Sequence, residues 1–257
     1  MVGDIRVGVT PHPEVNAVLQ SLLTHAQNIL GARFVGLYLY GSLASGDFDP
    51  AHSDIDFVVV ITETLPPATV DELRAMHQRL ADYSDGQWAK KLEGTYLPQA
   101  ALRRYDPEAA PCPTLNEGQF YLDRHGSDWV IQRHVLREHG VVIAGPAIAP
   151  LIDPVSPDEL RQAVRGVLRG WWRPMLDNPA WLRDEEYLAY AVLTMCRALH
   201  ALEHGTIVSK PTAARWARAA LPAHWAALIE WACGPQAPRT DAREEVMDFI
   251  RYVVGSE

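Results

Sequence analysis

Apolar side chains recur at Val15, Val18, Leu19, Leu22, Leu23, Ile29 and Leu30. That spacing predicts a helix over 13–30 with one buried face, and Gly31 is placed to end it. Two unbroken apolar runs follow, FVGLYLY (34–40) and DIDFVVVIT (54–62); runs of this length bounded by polar turns predict buried strands. Helical spacing returns over 69–83, with Val70, Leu73, Met76 and Leu80 inward. WAKKLEGTYL (88–97) reads as a third strand. Residues 98–126 are rich in Pro, Ala and polar groups and show no period. Ser127 is placed to cap a helix that runs to Glu138 and stops near Gly140. VVIAG (141–145) reads as a short strand.

Residues 146–154 are small, proline-rich and almost uncharged, as a linker would be. Beyond them the period is helical only, with helices predicted at 156–170, 182–204, 211–220, 223–233 and 240–254. Ser156-Pro157-Asp158-Glu159 is a strong start signal: serine at the N-cap, proline at N1 and glutamate at N3 of a capping box. Gly205 ends the longest helix. The pattern predicts two domains, 1–150 with strands and helices and 151–257 all-helical, with a cleft between them.

The chain of 257 residues is 48% hydrophobic and 21% charged, ordinary for a globular protein with a sizeable core. Its formal net charge of -9 disfavours a nucleic-acid partner, whose phosphates call for a basic face, and suits a cationic ligand. Cys112, Cys196 and Cys233 form no CxxC pair and no disulfide framework, and read as reduced, mostly buried thiols. No apolar run reaches membrane-span length, and the N-terminus lacks the features of a signal peptide, so a soluble cytoplasmic protein is expected. His125, His134 and His139 do not share a helical face, which argues against zinc. Trp171, Trp172, Trp216, Trp225 and Trp231 read as bundle core, whereas Trp181, beside Pro179 and the acids 184–186, is a candidate for stacking on a substrate.

The chemistry is concentrated in GSLASGDFDPAHSDID (41–56), between the two apolar runs. Strand alternation points Asp54 and Asp56 the same way and Ile55 into the core. Two neighbouring carboxylates repel, and a divalent cation removes that cost. Mg²⁺ commonly takes one or two carboxylates plus substrate phosphates. Gly41 lets backbone approach a ligand closely, and amides at the start of a short helix after it suit phosphate oxygens. Ser42 and Ser53 add hydroxyl donors. Glu93 lies in the next strand, where an ionised glutamate is exposed, paired or working. It is placed either to reach the same metal or to act as general base toward a hydroxyl. Arg197, inside the apolar helix VLTMCRALHAL, calls for an anionic partner, and Lys210 follows a glycine turn at a helix start. Alone, each reads as a structural ion-pair or surface residue; set across a cleft from an acidic domain, the two become reasonable as a triphosphate clamp.

These segments resemble the nucleotidyltransferase superfamily that shares the polymerase-beta-type palm. The closer resemblance is to the bacterial aminoglycoside adenylyltransferases of the streptomycin 3″/spectinomycin 9 type. It rests on the GS turn with Asp54 and Asp56, LEGT with Glu93, LREHGVVIAGP (136–146), LTMCRALHALEHGTIVSK (193–210) and FIRYVVG (249–255). The resemblance implies an α+β fold, with a palm of mixed sheet and helices followed by a helical bundle. It implies Mg²⁺ and ATP at Asp54 and Asp56, and Glu93 as catalytic base. Arg197 and Lys210 would lie at the nucleotide phosphates and Tyr252 near the nucleotide. The acceptor would be a small cationic aminoglycoside or aminocyclitol, met by Trp181, Asp184, Glu185 and Glu186. The acceptor half departs from the family: CPTLNEGQFYLDRHGSDW does not align securely, and Tyr187 falls where a family acid is expected. The alternative from another class is a palm protein of the toxin–antitoxin kind that binds or adenylylates a protein partner. Minimal palm antitoxins are much shorter and lack a bundle bearing Arg197 and Lys210.

Overall fold

The computed structural model describes residues 8–82, 86–182, 184–234 and 242–256. It divides into two compact units, Met1–Pro154 and Val155–Glu257. The first is a mixed six-stranded sheet with helices. Its elements are α1 (Pro13–Leu30), β1 (Phe34–Leu39), α2 (Gly41–Ser45), β2 (Ile55–Ile61), α3 (Pro67–Asp82), α4 (Gly86–Ala89), β3 (Leu92–Pro98), α5 (Gln99–Arg103), β4 (Cys112–Asn116), β5 (Gln119–Asp123), α6 (Asp128–His139) and β6 (Val141–Ala144). The strand order is β5-β4-β3-β2-β1-β6. Only β2 and β3 run parallel, joined by the α3 crossover; the other pairs are antiparallel.

Strand alternation divides the core. Ile55, Phe57, Val59 and Ile61 pack with Val15, Leu19, Leu22 and Leu23 of α1 and Leu73 and Met76 of α3. Tyr38, Val58, Val60 and Leu97 face the other way, onto Leu102 of α5 and Trp129 and Leu136 of α6. Asp56 and Glu93, one residue out of phase with the first set, lie on this second face at the end where β2 and β3 begin. Arg133, 3% exposed, pins α6 there: its guanidinium donates to the carbonyls of Ala101, Leu102 and Trp129. Gly94 lets β2 and β3 close up, since a Cβ would overlap the Phe57 carbonyl.

Several expectations need correction. Residues 86–89 form a helical turn and β3 begins at Leu92, because Trp88 and Ala89 pack as one side of a short helix and not as a strand. Lys91 therefore precedes the strand, and its ammonium donates to the carbonyls of Pro50, Ala51 and Ser53. The aperiodic stretch holds α5 and the β4–β5 hairpin. The hairpin turns on Glu117 (φ 47°) and Gly118 (φ 71°), the double positive-φ turn that matches strand twist. Ser127 makes no side-chain cap for α6.

The second unit is helical: α7 (Pro157–Val167), α8 (Arg173–Asp177), α9 (Glu185–His204), α10 (Lys210–Ala220), α11 (Ala226–Cys233) and α12 (Ala242–Val254). The Ser156 capping box forms, with the Glu159 amide 3.3 Å from Ser156 Oγ and the Ser156 amide 2.8 Å from Glu159 Oε2. α9 is the central post: its Leu188, Val192, Met195, Cys196 and Leu199 are buried, and α7, α10, α11 and α12 all pack on it. Gly205 (φ 65°) closes it. After α7 a wide turn, Leu168–Trp172, breaks the helical period. Trp172 is buried while Trp171 is 50% exposed, so Trp171 does not belong to the core. Cys233 is exposed, unlike Cys112 and Cys196. The expected start of the last helix, residues 240 and 241, lies outside the described residues. No described helix is long and apolar enough to cross a membrane.

The close approach of β2 and β3 is testable. Gly94→Ala places a methyl against backbone that cannot yield cheaply, and overpacking of this kind costs about 1–3 kcal/mol. Urea unfolding should show that loss with an unchanged m-value.

Candidate active site

In the first unit, the expected residues converge where β1 ends and β2 and β3 begin. Asp54 sits just before β2 and is exposed, while Asp56, the second residue of β2, is half-buried. Asp56 pairs in register with Glu93, the second residue of β3. Gly41 opens α2 at φ 65°, and a Cβ there would run into the Asp56 carboxylate. Glycine is required twice over: by the left-handed backbone and by the carboxylate packed against it. Ser42 follows in α2, and its carbonyl accepts the Asp47 amide at 3.0 Å as the turn closes. Ser53 holds the loop before Asp54: its hydroxyl accepts the Asp49 amide at 3.0 Å.

Glu93 is the electrostatic centre. Burial and then the charge of Asp54 raise its carboxyl from about 4.5 to about 7, against a partial opposing pull from the Glu117 amide. That amide donates to Glu93 Oε1 at 3.1 Å, so the tip of the β4–β5 hairpin orients the carboxylate. A carboxylate poised near neutral pH, backbone-oriented and beside two aspartates, can accept a proton from a hydroxyl. The donor set at Asp54 and Asp56 is oxygen only, which suits a hard dication such as Mg²⁺. Among the described residues no group of three or more His, Cys, Asp or Glu is arranged to hold a metal.

The remaining candidates lie in the second unit. Arg197 is half-buried midway along α9. Lys210 opens α10, with its ammonium 4.3 Å from the ring centre of Tyr190. Tyr252, near the end of α12, lies nearly parallel to Phe249 at 6.4 Å. Trp181 is 51% exposed in a tight turn, its ring 6.2 Å from Trp171. Asp184 caps α9, accepting the Tyr187 amide at 2.8 Å, and Glu185 and Glu186 stand exposed in the first turn.

Sequence reasoning missed three contributors. The Glu117 amide lay in the unassigned stretch. Trp171 was masked by the broken period beside Trp172. Asp128, at the start of α6, was overlooked for Ser127; burial raises its carboxyl above the usual carboxylate range. An Asp one residue before a buried Trp at a helix start was the available signal.

Comparison with known proteins bears on both units. Residues 27–91 match the family profile of the nucleotidyltransferase domain, and residues 150–255 match that of the aminoglycoside adenylyltransferase C-terminal domain. An aminoglycoside (3'') (9) adenylyltransferase of Rhizobium radiobacter is 33% identical, over 94% of this chain and 92% of the relative. The Escherichia coli enzyme of that name is 28% identical, over 94% of each chain. A spectinomycin 9-adenylyltransferase of Staphylococcus aureus is 25% identical, over 84% of this chain and 82% of the relative. The crystal structure of the Enterococcus faecalis spectinomycin adenyltransferase, with ATP and spectinomycin, shares the fold. Its TM-score is 0.71 at 19% identity, over 93% of this chain and 97% of that one.

The chain therefore belongs to the aminoglycoside (3'') (9) adenylyltransferase family and is a nucleotidyltransferase. Two consequences of the site geometry are measurable without substrate. Gly41→Ala should cost about 1–3 kcal/mol in urea unfolding and displace Asp56. Glu93→Gln should stabilise the metal-free protein. The folded-state value of Glu93 lies above its unfolded value, so its contribution is fully present below about 4.5 and is lost as pH rises through about 7. In EDTA, the variant should gain about 1–3 kcal/mol over wild type between about pH 4 and pH 8. A pH-independent difference would show that Glu93 is not held in a repulsive, half-buried setting.

Proposed function

We propose that the protein transfers AMP from ATP to a hydroxyl of an aminoglycoside or aminocyclitol of the streptomycin or spectinomycin type, releasing pyrophosphate. The pairing of Asp56 with Glu93 across β2 and β3, with Asp54 close enough to perturb Glu93, carries this reading. The names of the relatives support the acceptor class.

Asp54 and Asp56 would hold Mg²⁺, which when bound offsets the charge of the triphosphate. Glu93 takes the proton of the acceptor hydroxyl as that oxygen forms a bond to the α-phosphorus. The bond from the α-phosphorus to the bridging oxygen breaks, and its electron pair leaves with pyrophosphate. The Glu117 amide keeps the Glu93 carboxylate turned the same way throughout. Arg197 and Lys210 offset charge on the β- and γ-phosphates, and Tyr252 lies near the nucleotide. Gly41, Ser42 and Ser53 shape the turn that meets the phosphates. Trp181, Glu185 and Glu186 meet the cationic acceptor. Asp184 serves mainly as the cap of α9. The acidic balance of the chain agrees with protonated amines as ligands.

Purified protein with ATP, Mg²⁺ and a drug panel should release pyrophosphate with streptomycin or spectinomycin and not without an acceptor. Glu93→Gln should lower turnover by about 10²–10⁴-fold while Mg²⁺-dependent ATP binding stays near wild type by calorimetry. Asp54→Asn should lose that ATP binding. If Glu93→Gln loses ATP as severely as Asp54→Asn, Glu93 is a metal ligand and not the base.

A further inference from the structure

Lys210 is the first residue of α10, where a positive charge meets the positive end of the helix dipole. The helix itself does not favour a cation there. The Lys210 ammonium lies 4.3 Å from the ring centre of Tyr190 on α9. That is inside the range at which the negative face of an aromatic ring attracts a cation. An ammonium carries three N–H donors in a tetrahedral fan, so a ring on one side leaves donors turned away from it.

Tyr190 is 42% exposed, yet its ring is braced by two others. Trp172 lies 6.2 Å away at 30°, and Tyr187 lies 5.5 Å away at 41°. Trp172 is only 2% exposed, so one of the two braces belongs to the bundle core. The wide turn Leu168–Trp172 ends on that indole. An exposed ring is thus fixed from the core, and it holds a lysine that belongs to the next helix. Arg197 follows Tyr190 by seven residues on α9, two helical turns, so the two share a face of that helix. The ring therefore sets the Lys210 ammonium on the side of α9 that also carries Arg197.

We propose that Tyr190 is a positioning residue for the nucleotide: its ring face holds the Lys210 ammonium where a phosphate oxygen can meet it. The inference rests on the proposed role of Lys210 at the β- and γ-phosphates and deepens it. A lysine carries its charge on a flexible four-carbon stem and loses that freedom when the charge is pinned. The ring pins it before the phosphate arrives, which lowers the ordering cost of binding. A ring has no net charge, so unlike a carboxylate it does not cancel the charge that the phosphate needs. An aspartate or glutamate at position 190 would hold the lysine and neutralise it.

Calorimetric titration of the full chain with ATP and Mg²⁺ tests this in a double-mutant cycle. Lys210→Met should weaken ATP binding about 10–100-fold. Tyr190→Leu should weaken it about 3–10-fold, with a melting temperature near wild type because the ring is exposed. Tyr190→Phe keeps the ring face and should stay within about twofold of wild type. In the Lys210→Met background, Tyr190→Leu should add less than about twofold, because its effect passes through the lysine. An undiminished loss in that background means that the ring acts on the nucleotide or on the fold. That outcome overturns the positioning role and leaves the role of Lys210 standing. Wild-type affinity in Tyr190→Leu overturns it as well, and so does a loss in Tyr190→Phe equal to that in Tyr190→Leu. If Tyr190→Leu does not fold, Tyr190→Gln, which also lacks a ring face, takes its place in the cycle. If Lys210→Met binds ATP as wild type does, the role of Lys210 fails and that of Tyr190 fails with it.

Discussion

Repulsion among carboxylates is the constraint around which the first unit is organised. Asp56 and Glu93 are register neighbours on two parallel strands, and Asp54 adds a third charge close enough to raise Glu93. Carboxylates set this close together cost stability, since each disfavours the charged form of its neighbour. The surrounding structure supplies partial relief only. Gly41 leaves room for Asp56, and one backbone amide meets Glu93. The Lys91 ammonium is spent on loop carbonyls instead of the carboxylates. Under the proposed mechanism, a cation at Asp54 would remove one of the two main causes that raise Glu93 and would move it toward its ionised form.

Much of this was legible in the sequence because the responsible segments obey one period each. α1, β1, β2 and α3 are long and apolar, and their order places the GS turn and both aspartates between two adjacent strands. Ser156 announces α7 through a capping box that needs no tertiary context. What the sequence hid has specific physical causes. The β4–β5 hairpin turns on Glu117-Gly118 in place of Asn-Gly, and β5 leaves Tyr121 and Leu122 exposed at 40% and 55%, which erases the in-out alternation that marks a strand. Yet this hairpin supplies the amide that orients Glu93.

Helical regions failed for the opposite reason: a continuous pattern concealed a change of pitch. The wide turn at Leu168–Trp172 adds a residue to the helical cycle, and two adjacent tryptophans end up in different surroundings. Such turns occur often at functional positions, and here the exposed ring lies 6.2 Å from Trp181, a residue singled out for its chemistry and not for its period. Single-residue shifts of this kind are invisible to periodicity, because the hydrophobic count is unchanged on either side.

The second unit handles charge in the opposite way from the first. Lys210 opens α10 with its ammonium over the face of Tyr190, and Tyr190 in turn lies against Trp172 and Tyr187. At an exposed site, a ring contact of this kind is worth about 0.5–1 kcal/mol. A charge-assisted hydrogen bond to a phosphate oxygen is worth about 1.5–3 kcal/mol. Under the proposed role of Lys210, the ring would restrain the lysine and limit the side-chain entropy that a phosphate must overcome. The first unit sets carboxylates side by side on neighbouring strands, whereas the second sets an ammonium over an aromatic face.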